Sequence, residues 1–177
     1  IELPLCRVLA EMEVTGCRAD GAELRRFGEE MAVRIAEKET AIYEEAGRQF
    51  NINSPKQLGE VLFEDMGIPP VKKTKSGYST NAEVLEKLRY LYPVVEDVLA
   101  YRQYAKLKST YADGLLKEIG QDGRIHTNFQ MTATATGRLS STEPNLQNIP
   151  TRTELGSEIR RMFVAAPGCV LVDADYS

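Results

Sequence analysis

Asp122-Gly123-Arg124-Ile125-His126-Thr127-Asn128-Phe129-Gln130-Met131 is where the chain changes period. Asp-Gly marks a turn, and Ile125, Thr127, Phe129 and Met131 then alternate with polar neighbours, the spacing of a strand with one buried face. Upstream the apolar residues recur at threes and fours. Downstream, residues 136–150 are too rich in turn formers for any regular element. The fold class expected is therefore mainly α over residues 1–118, followed by an α+β segment over 119–177 with a partial antiparallel sheet.

Working back, each helix carries its own punctuation. Leu5, Val8, Leu9 and Met12 form a helical stripe that Gly16 stops. Asp20 and Glu23 make a capping signal for a long helix with the stripe Leu24, Phe27, Met31, Ile35 and Ile42, which Gly47 ends in a left-handed cap. Ser54-Pro55-Lys56-Gln57 supplies an N-cap, a proline at the first helical position and a capping-box glutamine, ahead of Leu58, Val61, Leu62 and Met66. Gly67-Ile68-Pro69-Pro70 breaks that helix, and Lys72-Lys73-Thr74-Lys75-Ser76-Gly77 reads as a loop. Thr80-Asn81-Ala82-Glu83 is a second capping box, and Pro93 opens another long helix that runs to about Leu116. Working forward, Arg161 to Ala165 and Cys169 to Ala174 are strand candidates around Pro167-Gly168.

The chain of 177 residues has 22 Lys+Arg against 26 Asp+Glu, a net charge of −4, 42% hydrophobic residues and one His. That composition excludes a disordered chain. No apolar run approaches the ~20 residues of a membrane span and no basic-then-apolar leader precedes the first helix, so the reading is a soluble intracellular chain. Cys6, Cys17 and Cys169 are odd in number and far from His126, which argues against a disulfide framework or a zinc site and for buried thiols. The chain stops just after Val170-Leu171-Val172, an apolar run that reads as a buried strand, so it is expected to be part of a longer protein.

The net charge hides an asymmetry. Between Pro69 and Tyr111 lie Lys72, Lys73, Lys75, Lys87, Arg89, Arg102, Lys106 and Lys108, whereas the long helix carries Glu29, Glu30, Glu37, Glu39, Glu44 and Glu45 and is expected to face solvent. Arg102 and Lys106 are four apart and share a helix face, with Ser109 and Thr110 a turn further on and Tyr104 and Tyr111 interleaved. Cations followed by hydroxyls suit a phosphate backbone, although from charge alone a solvated helix face is the favoured reading. Arg138, Asn145, Gln147 and Asn148 lie in the non-periodic stretch, where arginine and carboxamides are the side chains that reach minor-groove acceptors; a well hydrogen-bonded surface loop is the alternative. Asp173 and Asp175 flank Ala174 and, on a strand, would share one face, a common place for a metal and also a frequent chance spacing.

Taken together, the segments Phe50 to Leu58, Lys72 to Thr80, Lys106-Leu107-Lys108-Ser109-Thr110-Tyr111, Thr134-Ala135-Thr136-Gly137-Arg138-Leu139-Ser140-Ser141, Pro144-Asn145-Leu146-Gln147-Asn148-Ile149-Pro150 and Asp175-Tyr176-Ser177 resemble the family A DNA polymerases, the bacterial DNA polymerase I group. They stand in the family's order over essentially the whole chain. The resemblance implies that residues 1–118 are the helical thumb with its lead-in and residues 119–177 the start of the palm. It implies duplex contacts by Lys106, Lys108, Ser109 and Thr110 at the thumb tip, by Arg138 at the minor-groove edge of the primer-terminal pair, and by Asn145, Gln147 and Asn148 beside primer and template.

Asp175 matches the metal-binding aspartate of the family's first palm motif, with the backbone carbonyl of Tyr176 beside it. Two Mg²⁺ ions would assist attack of a primer 3′-hydroxyl on the α-phosphate of a deoxynucleoside triphosphate. The second carboxylate and the fingers would lie beyond Ser177, so the chain alone is expected to be inactive. Asp173 has no counterpart among the family's ligands, and Met131 stands where many members have glutamine. The partners implied are primer–template DNA and, for the intact protein, deoxynucleoside triphosphates, in the bacterial cytoplasm and with no membrane. The unpaired sheet edge is expected to let the chain self-associate. Two rival readings are a non-catalytic duplex-clamping module and a helical interaction scaffold, the latter leaving the Arg138 and Asn145 segments without a purpose.

Overall fold

A computed structural model describes residues 2–74, 77–151 and 153–174. They form two compact units, one of residues 1–28 with 107–177 and the other of residues 29–106.

Helix α1 (Glu2–Thr15) ends at Gly16, whose φ of +63° supplies the left-handed stop. Of its expected stripe only Leu9 is buried, while Val8 and Met12 are exposed. Strand β1 (Cys17–Arg18) leads to α2 (Gly21–Ala46), capped as expected by Asp20, whose Oδ1 accepts from Ala22 N and Glu23 N at 3.0 and 3.1 Å. Leu24, Phe27, Met31 and Ile42 are buried along its length.

In the unit of residues 29–106, Ser54 caps α3 (Pro55–Glu60) by accepting from Gln57 N. The Gln57 carboxamide reaches further back than a capping box requires, accepting from Asn51 N at 2.8 Å. A π-helical turn, Val61–Asp65, continues α3. The stretch expected to be a loop holds a two-residue antiparallel ladder, with β2 (Lys73–Thr74) on β3 (Gly77–Tyr78); Lys75 and Ser76 lie outside the described residues. Helix α4 (Ala82–Glu86) is capped by Asn81 rather than Thr80, because the Asn81 carboxamide accepts from Val84 N at 2.9 Å. Thr80 serves elsewhere, its backbone and hydroxyl oxygens accepting from Arg102. Helix α5 (Pro93–Lys106) completes the unit around a core that includes Ile42, Leu58, Leu62, Leu85, Val95 and Val98.

The long helix expected from Pro93 is continuous, but its period changes. A π-helical segment, Leu107–Ala112, separates α5 from α6 (Asp113–Glu118). In the unit of residues 1–28 and 107–177, Leu107, Tyr111, Ala112, Leu115, Ile125, Ile159 and Met162 are buried together with Leu24 and Phe27 of α2. Gly28 lets α2 pack closely on the π-helical segment, since a Cβ there would stand 3.3 Å from that of Ala112. Strand β4 (Arg124–Ile125) pairs with β1, and β5 (Asn128–Gln130) with β6 (Ser140–Thr142), both antiparallel. The class is thus mainly α followed by α+β with small antiparallel ladders, as the change of period at residue 122 implies.

Three further local expectations fail. Glu154–Arg161 is a helix, α7, so the strand expected to start at Arg161 is reduced to a bridge between Ala19 and Phe163. The overlooked signal is Thr153, whose hydroxyl accepts from Gly156 N at 3.1 Å, with Glu154 in the first turn and Arg160 and Arg161 in the last. Residues 169–174 have no strand partner among the described residues, and Val170, Leu171 and Val172 are exposed, because an apolar run becomes a strand only where another strand supplies the ladder. The cysteines are exposed rather than buried.

Candidate nucleic-acid interface

The candidate residues converge through backbone contacts. Tyr111, in the π-helical segment, donates its phenolic hydroxyl to Asn148 O at 2.5 Å, tying the Ser109-Thr110 turn to the end of the Pro-Asn-Leu-Gln-Asn stretch. Gln147 ties the same stretch to the Arg138 segment. Its Nε2 donates to Leu139 O at 3.0 Å, its Oε1 accepts from Ser141 N at 3.2 Å, and its own N–H donates to Asn145 Oδ1 at 2.9 Å. Gln147, although exposed, therefore commits both ends of its carboxamide to bonds within the protein. The Arg138 turn is closed by the Thr134 hydroxyl, which donates to Arg138 O at 2.7 Å, and by Gly137 at φ +74°.

Beneath this loop lies a buried pair of hydroxyls that sequence reasoning missed. Thr127 and Ser141 are 6% and 1% exposed, with their oxygens 2.7 Å apart. Each hydroxyl carries one proton, so the shortest consistent relay runs from Leu146 N–H to Ser141 Oγ (3.0 Å), from Ser141 to Thr127 Oγ1, and from Thr127 to Pro144 O (2.8 Å). The relay anchors residues 144–146 to β6 and to Thr127 just before β5, and Asn145 and Asn148 are exposed above it. A hydroxyl in the inward slot between Ile125 and Phe129 is the signal that could have found it.

The cations fall into different states. Arg138 is exposed and makes no ion pair among the described residues. Lys108 is half-buried, its Nζ 2.6 Å from Asp113 Oδ2, while Ser109 and Thr110 are exposed beside it. In the other unit, Lys106 ends α5 exposed and without an ion pair among the described residues. The cationic face expected of Arg102 and Lys106 is reduced to Lys106. Arg102 turns inward to Thr80, and burial holds its pKa below the usual guanidinium value.

His126 and Asp122 form a separate exposed pair. Nδ1 of His126 lies 2.7 Å from Glu13 O and Nε2 lies 3.0 Å from Asp122 Oδ2. The bond to Glu13 O, then the carboxylate, raises the imidazole pKa; Asp122 is lowered in turn, first by His126 and then by Arg124 N.

Asp175 and Tyr176 lie outside the described residues. Among the described residues no three His, Cys, Asp or Glu side chains gather as a metal site, and Asp173 is exposed. A carboxylate and a backbone carbonyl are hard oxygen donors of the kind Mg²⁺ takes, so the chemistry of Asp175 and Tyr176 fits that ion. No helix among the described residues is long and apolar enough to cross a membrane.

A family model for DNA polymerase family A matches residues 21–177. DNA polymerase I of Bacillus subtilis (strain 168) is 54% identical over 179 residues, which cover 100% of this chain and 20% of that protein. DNA polymerase I of Chloroflexus aurantiacus is 55% identical over 183 residues, covering 100% of this chain and 19% of its own length. The thermostable DNA polymerase I of Thermus aquaticus is 54% identical over 180 residues, covering 100% of this chain and 22% of its own. Among solved structures, the POL domain of Pol1 from M. smegmatis in complex with DNA primer-template and dNTP matches at a TM-score of 0.89 and 49% identity, covering 95% of this chain and 30% of that one. The chain thus spans about a fifth of the length of these curated relatives. Because the matched region takes in the helical run, the Arg138 segment and the Pro-Asn-Leu-Gln-Asn stretch alike, the chain belongs to the DNA polymerase family A.

Proposed function

We propose that residues 1–118 are the thumb with its lead-in and residues 119–177 the first part of the palm of a DNA-directed DNA polymerase acting in replication and repair in the bacterial cytoplasm. The observation that carries the reading is the convergence of the 107–112 turn, the Arg138 turn and the 144–148 stretch through Tyr111 and Gln147. It is supported by a structural neighbour, the M. smegmatis POL domain, solved in complex with DNA primer-template and dNTP.

In this reading Lys106 and Lys108 meet backbone phosphates as point charges, with Ser109 and Thr110 as hydroxyl partners. Arg138, Asn145 and Asn148 face the minor groove, whose acceptors are largely common to all correct pairs, so they test pair geometry without reading sequence. Gln147 serves by holding the loop. Asp175 and the carbonyl of Tyr176 would hold Mg²⁺, which in the intact protein activates the primer hydroxyl and stabilises the leaving oxygens. The remaining ligand and the nucleotide site belong to the rest of the intact protein, so the isolated chain binds duplex without extending it, and its exposed Val170-Leu171-Val172 run is where copies would associate.

Primer extension by the intact protein is the test. Asp175→Asn abolishes extension while primer–template affinity stays within about twofold; full extension by that variant, or equal loss of binding, overturns the assignment. Duplex binding with no extension by the unaltered intact protein would support the clamping module instead.

A further inference from the structure

Lys108 differs from the other cations proposed to meet DNA, because it already holds an anion. Its Nζ is 2.6 Å from Asp113 Oδ2, whereas Lys106 and Arg138 have no ion pair among the described residues. The helical period makes this pairing possible. Residues five apart on an α-helix point about 140° away from each other at 3.6 residues per turn. The π-helical segment Leu107–Ala112, with its i→i+5 pattern, brings positions 108 and 113 to one side. Gly28 backs the carboxylate, since a Cβ there would stand 3.5 Å from Asp113 Oδ1. The pair is also reachable from solvent, with side chains 31% and 41% exposed.

We infer that Asp113 is a stand-in for a DNA phosphate, holding the Lys108 ammonium in free protein and giving it up when a phosphodiester arrives. This rests on the reading of Lys108 as a duplex contact and adds a regulating residue to that site. A partly exposed ion pair contributes little net stability, so exchanging the carboxylate for a phosphate costs little. Asp113 sits at the start of α6 with Gly28 packed against its carboxylate, so it stays in place once Lys108 leaves. Unpaired, its charge faces the incoming strand. The pair thus acts twice against loose binding: it must be broken, and it leaves a negative charge behind.

The test is a double-mutant cycle on this chain, read by anisotropy of a labelled primer–template at low salt. Asp113→Asn is expected to bind up to about fivefold tighter, the upper end of what a partly exposed pair allows. Lys108→Met binds more weakly, and adding Asp113→Asn to Lys108→Met gives a smaller gain than in the unaltered chain, because only the residual repulsion is left to remove. Asp113→Glu, which keeps the charge, stays near the unaltered affinity. If Asp113→Asn lowers the melting temperature of the chain, Asp113→Ser, which also removes the charge, carries the same expectation. Weakened binding in Lys108→Met with no gain from Asp113→Asn or Asp113→Ser would overturn the stand-in and leave the DNA reading intact. A gain of equal size in the Lys108→Met background would also overturn it, because Asp113 would then act by general repulsion. Unchanged binding in Lys108→Met would sink both.

Discussion

Ser141→Ala and Thr127→Val probe the buried hydroxyl relay from its two ends, and the structure orders their effects. Alanine at 141 takes the acceptor from Leu146 N–H and the donor from Thr127 Oγ1, at bonds of 3.0 and 2.7 Å, and offers nothing in return. One buried group left unsatisfied costs about 1–3 kcal/mol, so Ser141→Ala should lower stability by that much and release the 144–146 segment. Valine at 127 keeps the shape, and the Ser141 hydroxyl can turn to Pro144 O, 3.2 Å away. Thr127→Val should therefore cost only about 0.5–1.5 kcal/mol, the value of one ordinary hydrogen bond. Because the two side chains share the relay, the double variant should cost less than the sum. Urea denaturation gives the global values, and hydrogen exchange at the Leu146 amide gives the local one, with protection falling at least tenfold in Ser141→Ala and little in Thr127→Val. A Thr127→Val variant as costly as Ser141→Ala, or a Ser141→Ala variant with an unchanged Leu146 amide, would refute the relay.

Gly156→Ala should lose about 1–3 kcal/mol by overpacking, since its Cβ would stand 2.6 Å from both Pro150 Cβ and Pro150 O; a melt matching that of the unaltered chain would contradict it. Leu58→Ala, at a fully buried position in the unit of residues 29–106, should cost about 2–5 kcal/mol in urea denaturation, and a cost below 1 kcal/mol would show the site able to collapse. His126 is the single histidine, so its ring resonances titrate alone in a proton NMR series and should give a pKa above the ordinary 6.5. Its stabilising contribution is complete below pH 6.5 and is lost as pH rises through the raised folded value, whereas that of Asp122 is present above 3.8 and is lost as pH falls through its lowered value. His126→Ala should flatten the alkaline limb of melting temperature against pH, and a titration at or below 6.5 would refute the pairing.

The parts of this fold legible in the sequence are those that local chemistry decides. Asp20, Ser54 and the left-handed Gly16 and Gly47 act where the residues say they should, and the stripe from Leu24 to Ile42 is buried because a 3.6-residue period leaves a long amphipathic helix little choice. What escaped depends on partners elsewhere in the chain. Val170-Leu171-Val172 has strand composition but no ladder, and α7 hides behind a threonine cap followed by a glycine. The π-helical register at Leu107–Ala112 has no signature in composition, yet it decides that Lys108 faces Asp113. At the candidate site, residue types announced which side chains could meet a duplex. Their division of labour, with Gln147 and Tyr111 holding the loop while Arg138 and Asn148 face outward, is set by contacts between segments that no local pattern encodes.

Binding of a labelled primer–template to this chain, followed by anisotropy at two salt concentrations, tests the central claim most directly. Salt-sensitive binding is predicted, weakened in Lys106→Ala/Lys108→Ala and in Arg138→Ala, with the magnitude of the salt slope falling by about 0.9 for each phosphate contact removed. No binding at low salt, or identical affinity and slope in all the variants, would contradict it.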